Sequence, residues 1–332
     1  MATEKLSGQF SLSSVEQQRL MTKIAVLYHE EGLGQPEISR RLSLSQARVS
    51  RYLKQAVAEG IVRTTVVQPY GIYVGLEKAL EEKYNLLEVV VAEHIEGTSL
   101  KNALGSAAAT YLETTLSAND HIGLSSWSQT LLATVEAMRT RPRKVVKEVT
   151  QLIGGVGSPE AQMQASRLCS HLAELTSATP IYLAAPGVVA TKSVKNAFMS
   201  DPAIVETFEA WKRITTLIVG IGTFPASPLL AASGNNLERS EEEQLKNDGA
   251  VGEICLRYFD KDGHAMNPVI EDRVIAIDTK SMRAAPRRIG VAGGASKLNA
   301  IRAAISGGWI NVLITDSDVA RLLLEPPRLK TK

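Results

Sequence analysis

At 332 residues the chain has room for roughly two domains of about 150 residues, and 44% hydrophobic content supplies a core for each. No stretch approaches the roughly 18 consecutive apolar residues of a spanning helix, and residues 1–14 have no apolar signal-peptide core, so membrane and secreted classes are excluded and a cytoplasmic protein is expected. The 37 basic and 35 acidic side chains nearly cancel overall, yet residues 35–63 hold six basic side chains (Arg40, Arg41, Arg48, Arg51, Lys54, Arg63) against Glu37 and Glu59, a local net charge of +4.

Residues 1–14 are polar and aperiodic and read as a loose leader. From Val15 the pattern is helical, with Leu20, Ile24, Leu27 and Tyr28 on one stripe, until Gly32 and Gly34 end it. A short second helix follows, with Pro36 in its first turn and Ile38 and Leu42 facing inward. Ser43-Leu44-Ser45 is the break, and Ser45 is suited to N-cap a third helix that runs to about Glu59 and stops at Gly60. In that helix Val49, Leu53, Ala56 and Val57 fall on one face, whereas Ala47, Arg48, Arg51, Lys54 and Gln55 project from the other. Residues 61–67 read as a short β-wing or strand, which closes an N-terminal unit over 15–67, and 68–75, with Pro69, Gly71 and Gly75, read as a hinge.

Beyond the hinge, over 76–326, apolar strands alternate with amphipathic helices, the pattern of a parallel-sheet α/β domain. Strands are expected at 87–92, 121–125, 148–153, 180–184, 216–220, 274–277, 288–292 and 311–315, with an antiparallel piece at 254–258. Helices are expected at 76–84, 99–116, 129–138, 160–175, 194–198, 240–246, 297–306 and 318–324. Leu76, Leu80 and Tyr84 share a helical face, open to either core packing or a subunit contact. Cys169 and Cys255 lack zinc-like spacing and read as buried thiols, and His94, His121, His171 and His264 converge with no carboxylate in sequence, so no metal site is expected.

Two helices joined by a tight turn, the second basic at its outward N-terminal end, meet the steric and electrostatic needs of major-groove docking. Three short helices also suit a protein-interaction module. The string Gln35-Pro-Glu-Ile-Ser-Arg-Arg-Leu-Ser-Leu-Ser-Gln-Ala-Arg-Val-Ser-Arg-Tyr-Leu, followed by Glu59-Gly60-Ile61-Val62-Arg63, favours DNA. It resembles the DNA-binding domain of the SorC family of sugar-responsive regulators. That resemblance implies double-stranded operator DNA as a partner, touched by Gln35, Ser45, Gln46, Ala47, Arg48, Arg51, Tyr52, Lys54 and Gln55. The chain departs from the family at Ser43, where Gly is usual at the turn, and at Gln46-Ala47, where an Arg is common; Gln pairs best with adenine.

Parallel α/β sheets bind ligands at the carboxyl ends of their strands, which directs attention to the loops there. Gly123-Leu124-Ser125-Ser126-Trp127-Ser128-Gln129-Thr130 leads from strand to helix and offers hydroxyl and N–H groups to a phosphate. Gly154-Gly155-Val156-Gly157-Ser158 and Gly220-Ile221-Gly222-Thr223 are similar, and each alone also fits plain chain reversal. Gly293-Gly294-Ala295-Ser296-Lys297 adds a cation, although its spacing is not that of a Walker A loop, which disfavours a nucleotide triphosphatase.

These loops, with Ala185-Pro186-Gly187, Gly252-Glu253-Ile254, Phe259-Asp260 and Gly307–Asp316, are also similar to the SorC-family effector domain, so the resemblance spans about residues 18–325. It implies a winged helix-turn-helix joined to a Rossmann-like domain akin to sugar-phosphate isomerases and deaminases. The effector implied is a small sugar, polyol or sugar phosphate bound by a dimer or tetramer, without a cofactor. Ser125, Ser126, Gln129, Thr130 and Lys297 would surround the phosphate end and Glu253 the hydroxyls; Trp127, Gly154, Gly155, Val156, Gly222 and Asp316 complete the expected lining. Asp316 is equally a candidate helix cap. Glu253 stands where the family more often has Asp, and Ser128 where Gly is common, so an unphosphorylated ligand is the rival. Two further classes compete with a regulator: an isomerase-like enzyme using Lys297 with Glu253 or Asp260, which turnover of the signal argues against, and a constitutive DNA-binding oligomer.

Overall fold

A computed structural model describes residues 14–62, 71–94, 97, 99–140, 145–156, 159–223, 234 and 237–326. The expected leader up to residue 13, the wing from 63 onward and the hinge at 68–70 lie outside the described residues. The chain divides into two units, Met1–Val67 and Gln68–Lys332.

In the first unit, helices α1 (Ser14–His29), α2 (Gln35–Leu42) and α3 (Gln46–Ala58) enclose a small core. Met21, Ile24, Ala25 and Leu27 of α1 meet Ile38 of α2 and Val49, Tyr52, Leu53 and Ala56 of α3. Tyr28 and Val57, both expected to face inward, are 38% and 52% exposed, since each lies at the margin of its helix's apolar stripe and polar flanks leave it in water. The α2–α3 turn is tight: Ser43 is left-handed at φ 52° and ψ 41°, and the Leu44 N–H donates to Ser39 O at 3.0 Å. An L-residue bears a steric cost there that glycine avoids. Ser45 then caps α3, its Oγ accepting from the Arg48 N–H at 3.3 Å.

The second unit contains strands β1 (Glu88–Ala92), β2 (His121–Leu124), β3 (Glu148–Gln151), β4 (Thr179–Ile181), β5 (Thr216–Gly220), β6 (Ala250–Ile254), β7 (Arg257–Asp260), β8 (Arg287–Val291) and β9 (Val312–Asp316). Its helices are α4 (Val74–Tyr84), α5 (Leu100–Thr115), α6 (Gln129–Ala137), α7 (Pro159–Thr176), α8 (Lys192–Ser200), α9 (Pro202–Trp211), α10 (Arg239–Asn247), α11 (Thr279–Ala284), α12 (Leu298–Ser306) and α13 (Ser317–Leu324). Seven strands form one parallel sheet in the order β1-β9-β8-β5-β2-β3-β4. Both faces are covered, which is why these strands read as apolar runs: along β5, Leu217 and Val219 join one core cluster and Ile218 the other. From β2 the chain winds to β4 at one edge, returns to β5 beside β2, and continues through β8 and β9 toward β1. The crevice between the carboxyl ends of β2 and β5 is therefore the topological switch point, where an open α/β sheet binds its ligand.

Several expectations need correction. Residues 274–277 are apolar but form no strand; their backbone is satisfied by loops, with Gly154 N–H donating to Ile275 O at 3.1 Å, Ile275 N–H to Gly187 O at 2.9 Å and Ile277 N–H to Leu152 O at 2.7 Å. The antiparallel piece at 254–258 is instead the centre of the β6–β7 hairpin, with Cys255 and Leu256 at φ 52° and 60° forming its turn. Val74 and Gly75 belong to α4 rather than to the hinge, because the Tyr73 carbonyl accepts from Leu76 and Glu77 and starts the helix there. Leu80 of α4 is fully buried, and Leu76 and Tyr84 pack against the same core. Helix α9 was not anticipated, although Asp201-Pro202 signals it: Asp201 Oδ1 accepts from the Ala203 N–H at 2.9 Å.

Candidate functional site

On the first unit, the face of α3 opposite its core residues exposes Gln46, Ala47, Arg51 and Lys54, and Ser45 is exposed at its cap. Not every expected DNA contact lies on this face. Tyr52 is 4% exposed and belongs to the core, so its ring is unavailable to DNA. Arg48 is half-buried: its Nη2 donates to Tyr52 Oη at 3.2 Å, and its guanidinium lies 5.6 Å from the Tyr52 ring centroid. Gln55 Nε2 donates to Glu59 Oε1 at 2.7 Å, and Gln35 is half-buried at the start of α2. Arg41 is paired with Glu31 at 3.0 Å, whereas Arg40 is exposed.

On the second unit, the loops after β2, β3 and β5 are tied together at the switch point. Ser125 N–H donates to Ile218 O at 3.1 Å, Leu152 N–H to Leu124 O at 3.1 Å, and Trp127 Nε1 to Gly154 O at 3.2 Å. Trp127 is buried and joins two loops, so it supports the site rather than lining it. Ser126 is 3% exposed, and its Oγ has no hydrogen-bond partner among the described residues. A buried hydroxyl without a partner at a strand end is available to a bound polar ligand. Gln129 is exposed and Thr130 half-exposed on the first turn of α6. Ser128 caps that helix, its Oγ accepting from Leu131 N–H at 3.3 Å, and a Cβ on Gly220 would come within 2.9 Å of the same oxygen. One N–H of the α6 cradle is thereby already occupied. Gly154 and Gly155 are buried and Val156 half-buried in the neighbouring loop; Gly157 and Ser158 lie outside the described residues.

The hairpin brings an acid to the end of β5. Gly222 and Glu253 exchange backbone hydrogen bonds at 2.9 and 3.1 Å, and the Glu253 side chain lies where a Cβ on residue 222 would stand. Glu253 Oε2 accepts from Leu256 N–H at 2.7 Å and so fixes the left-handed turn. Cys255 lies in the same turn, and burial pushes its thiol up to about 12. From the neighbouring β8–α12 connection Lys297 reaches the same strand end, its Nζ donating to Ile221 O at 2.7 Å. Burial lowers the Lys297 pKa while Glu253 opposes that; burial raises the Glu253 pKa, opposed by the Leu256 bond and by Lys297. A cation and a carboxylate thus share a partly dry site at the end of β5.

Asp316 is a structural anchor rather than part of the lining. At 2% exposure its Oδ1 accepts from Asp318 and Val319 N–H at 3.1 and 2.9 Å, capping α13, while its Oδ2 accepts from Gly294 N–H at 2.7 Å. Gly294 has φ 90°, so this carboxylate holds the glycine loop that precedes Lys297. Asp260, an alternative catalytic base in the sequence, is occupied at its own turn, accepting from Asp262 and His264 N–H at 2.9 Å each. Asp260, Asp262 and His264 do gather there, but that turn geometry accounts for them. His121 pairs with Glu148 at 2.9 Å at the amino end of the sheet, away from the crevice. Cys169 and Cys255 are free and buried. Among the described residues no helix is long and apolar enough to cross a membrane.

Comparison with known proteins agrees with both halves. Residues 69–325 match the Sugar-bind family of sugar-binding domains, and residues 24–63 match a winged helix-turn-helix DNA-binding family. The chain is 33% identical over 311 residues to the deoxyribonucleoside regulator of Bacillus subtilis (strain 168), covering 93% of this chain and 98% of that one. It is 30% identical over 317 residues to the erythritol catabolism regulatory protein EryD of Brucella abortus (strain 2308), covering 94% and 98%. The crystal structure of the full-length sorbitol operon regulator SorC from Klebsiella pneumoniae aligns with a TM-score of 0.70 at 26% identity, covering 95% of this chain and all of that one.

Proposed function

Because the chain belongs to the SorC family of sugar-binding, DNA-binding transcriptional regulators, we propose that its signal is a small sugar or polyol, carried as its phosphate, bound at the β2–β5 switch point. The observation that carries this reading is that Lys297 and Glu253 share the end of β5, while the buried Ser126 hydroxyl, unpartnered among the described residues, lies just past the end of the adjoining β2. Ser126, Thr130 and Gln129 face the anionic end with Lys297 as a point charge, Glu253 accepts from sugar hydroxyls, and Gly154, Gly155, Val156 and Gly222 complete the lining. Ser125 and Trp127 hold the loop. Ligand binding shifts the placement of subunits in a cytoplasmic homo-oligomer, dimer or tetramer, and so the spacing of paired α3 helices on DNA, with a coupling of roughly 1–3 kcal/mol. The domain binds without turnover, since consuming the ligand would erase the signal.

One observation favours an unphosphorylated ligand instead: Ser128 already occupies part of the α6 cradle. A thermal-shift screen with sugars and sugar alcohols, each paired with its phosphate, separates the two readings. A phosphate ester at 100 times its Kd raises stability by about 2.7 kcal/mol, or roughly 5–10 °C in Tm. A shift from the free polyol alone selects the second reading, and no shift from any compound rejects both. Mass spectrometry of the incubated compounds checks for turnover, and any product formed contradicts the regulator-only role.

A further inference from the structure

The basic face of α3 carries two arginines in different physical states, and that difference assigns the bases it reads. This inference rests on the first unit being the DNA-binding head. With Val49, Tyr52, Leu53 and Ala56 buried, the helical period places Ala47, Arg51 and Lys54 directly opposite the core, with Gln46 and Ser50 on one flank and Arg48 on the other. Arg48 is turned onto the head itself. Its Nη2 bonds Tyr52 Oη at 3.2 Å, its guanidinium stands against the ring, and its Nε is buried without a partner. Withdrawing that group to reach a base would break the Tyr52 bond. Arg51 is exposed, and among the described residues its side chain has no ion pair or hydrogen bond. Its five-donor fork is free for the O6 and N7 edge of guanine.

We propose that α3 reads its half-site through Gln46, Ala47 and Arg51, and that Arg48 is a positioning residue reserved for Tyr52. The Gln46 amide matches the N6 and N7 edge of adenine, and the Ala47 methyl, at the centre of the first outward turn, both allows close approach to the groove floor and packs against a thymine methyl. The half-site is then an A·T-containing step next to a guanine. Ser50, absent from the sequence-based set of contacts, lies between them and is placed to bond either a base or a phosphate.

The test is selection of full-length protein against a random duplex DNA pool, with sequencing of the bound fraction and a thermal melt of each variant. Arg51→Met is expected to lose about tenfold or more of the preference at one guanine while keeping the others. Gln46→Lys is expected to exchange an adenine preference for guanine. Arg48→Met is expected to keep every base preference and to weaken binding uniformly; Arg48→Gln, which still donates to Tyr52, recovers part of that loss and serves if Arg48→Met melts early. Loss of a guanine preference in Arg48→Met and Arg48→Gln, with all preferences intact in Arg51→Met, overturns the assignment. Enrichment of a site that lacks the guanine or the A·T step likewise overturns it, whereas a wild-type protein that enriches no sequence while retaining its melt removes the DNA-binding premise instead.

Discussion

The two units place their charges in opposite environments. On α3, Arg51 and Lys54 stand in water, whereas around the crevice Lys297, Glu253 and Asp316 are withdrawn from it and bonded to backbone groups of neighbouring loops. An exposed cation adds little to folding and acts through long-range attraction that salt screens. A withdrawn charge is costly unless held, so its partners are part of the fold and its loss is felt there first. The surface of one unit is consequently free to vary its contacts, and the site of the other is bound into its architecture.

Substitutions sharpen this contrast, and the largest effect belongs to Asp316. Asp316→Ala removes the α13 cap and the Gly294 bond together and is expected to destabilise the second unit by about 3 kcal/mol, read by denaturant unfolding. A loss below 1 kcal/mol would show that Asp316 is not an anchor. Lys297→Ala should abolish ligand-induced thermal shifts and cost about 2 kcal/mol of stability, since Glu253 keeps its burial penalty without its cation. The sign of its pH dependence follows. Burial already raises the folded pKa of Glu253 above its ordinary value, and removing Lys297 raises it further, so the variant loses stability relative to wild type as pH rises through the carboxylate range and beyond. A difference that is flat with pH would separate the two groups.

Arg51→Ala is expected to weaken DNA binding by about 1–3 kcal/mol and to change Tm hardly at all, checked by fluorescence anisotropy over a salt series. A fall in Tm comparable to that of Asp316→Ala would break the comparison outright. The smallest effect is a gain: Ser43→Gly relieves a left-handed residue at the α2–α3 turn and should stabilise the first unit by about 1 kcal/mol or less, seen as a higher midpoint by circular dichroism. A decrease would mean that the Ser43 side chain contributes more than its backbone strain costs.

How much of this was legible in the sequence varies with the range of the interactions involved. The head was legible because its signals are local: the Ser45 cap, the Gly60 stop and the spacing of Ile38, Val49 and Leu53 act within a few residues. The sheet was legible for a different reason, since strands buried on both faces must be apolar runs. The same rule failed at 274–277, where the run is equally apolar but its N–H and carbonyl groups bond loops at 152–154 and 187. The hairpin turn was hidden because Cys255 and Leu256 hold positive φ without glycine, supported by the Glu253 carboxylate. Within the candidate site the residue types were readable and their duties were not. Trp127 and Asp316 sit in the right loops yet face neighbouring backbone, and Tyr52 sits on the right helix yet faces the core.

By itself the sequence determined a basic three-helix head followed by an alternating α/β body with glycine-rich strand ends, because periodicity, caps and turn residues act over short stretches of chain. Only the tertiary structure decided that Arg48 is held while Arg51 has no partner among the described residues, that Lys297 bonds the Ile221 carbonyl, and that Asp316 anchors a loop. Those outcomes depend on which side chains distant segments bring within a few ångströms of one another, and no local pattern encodes that distance.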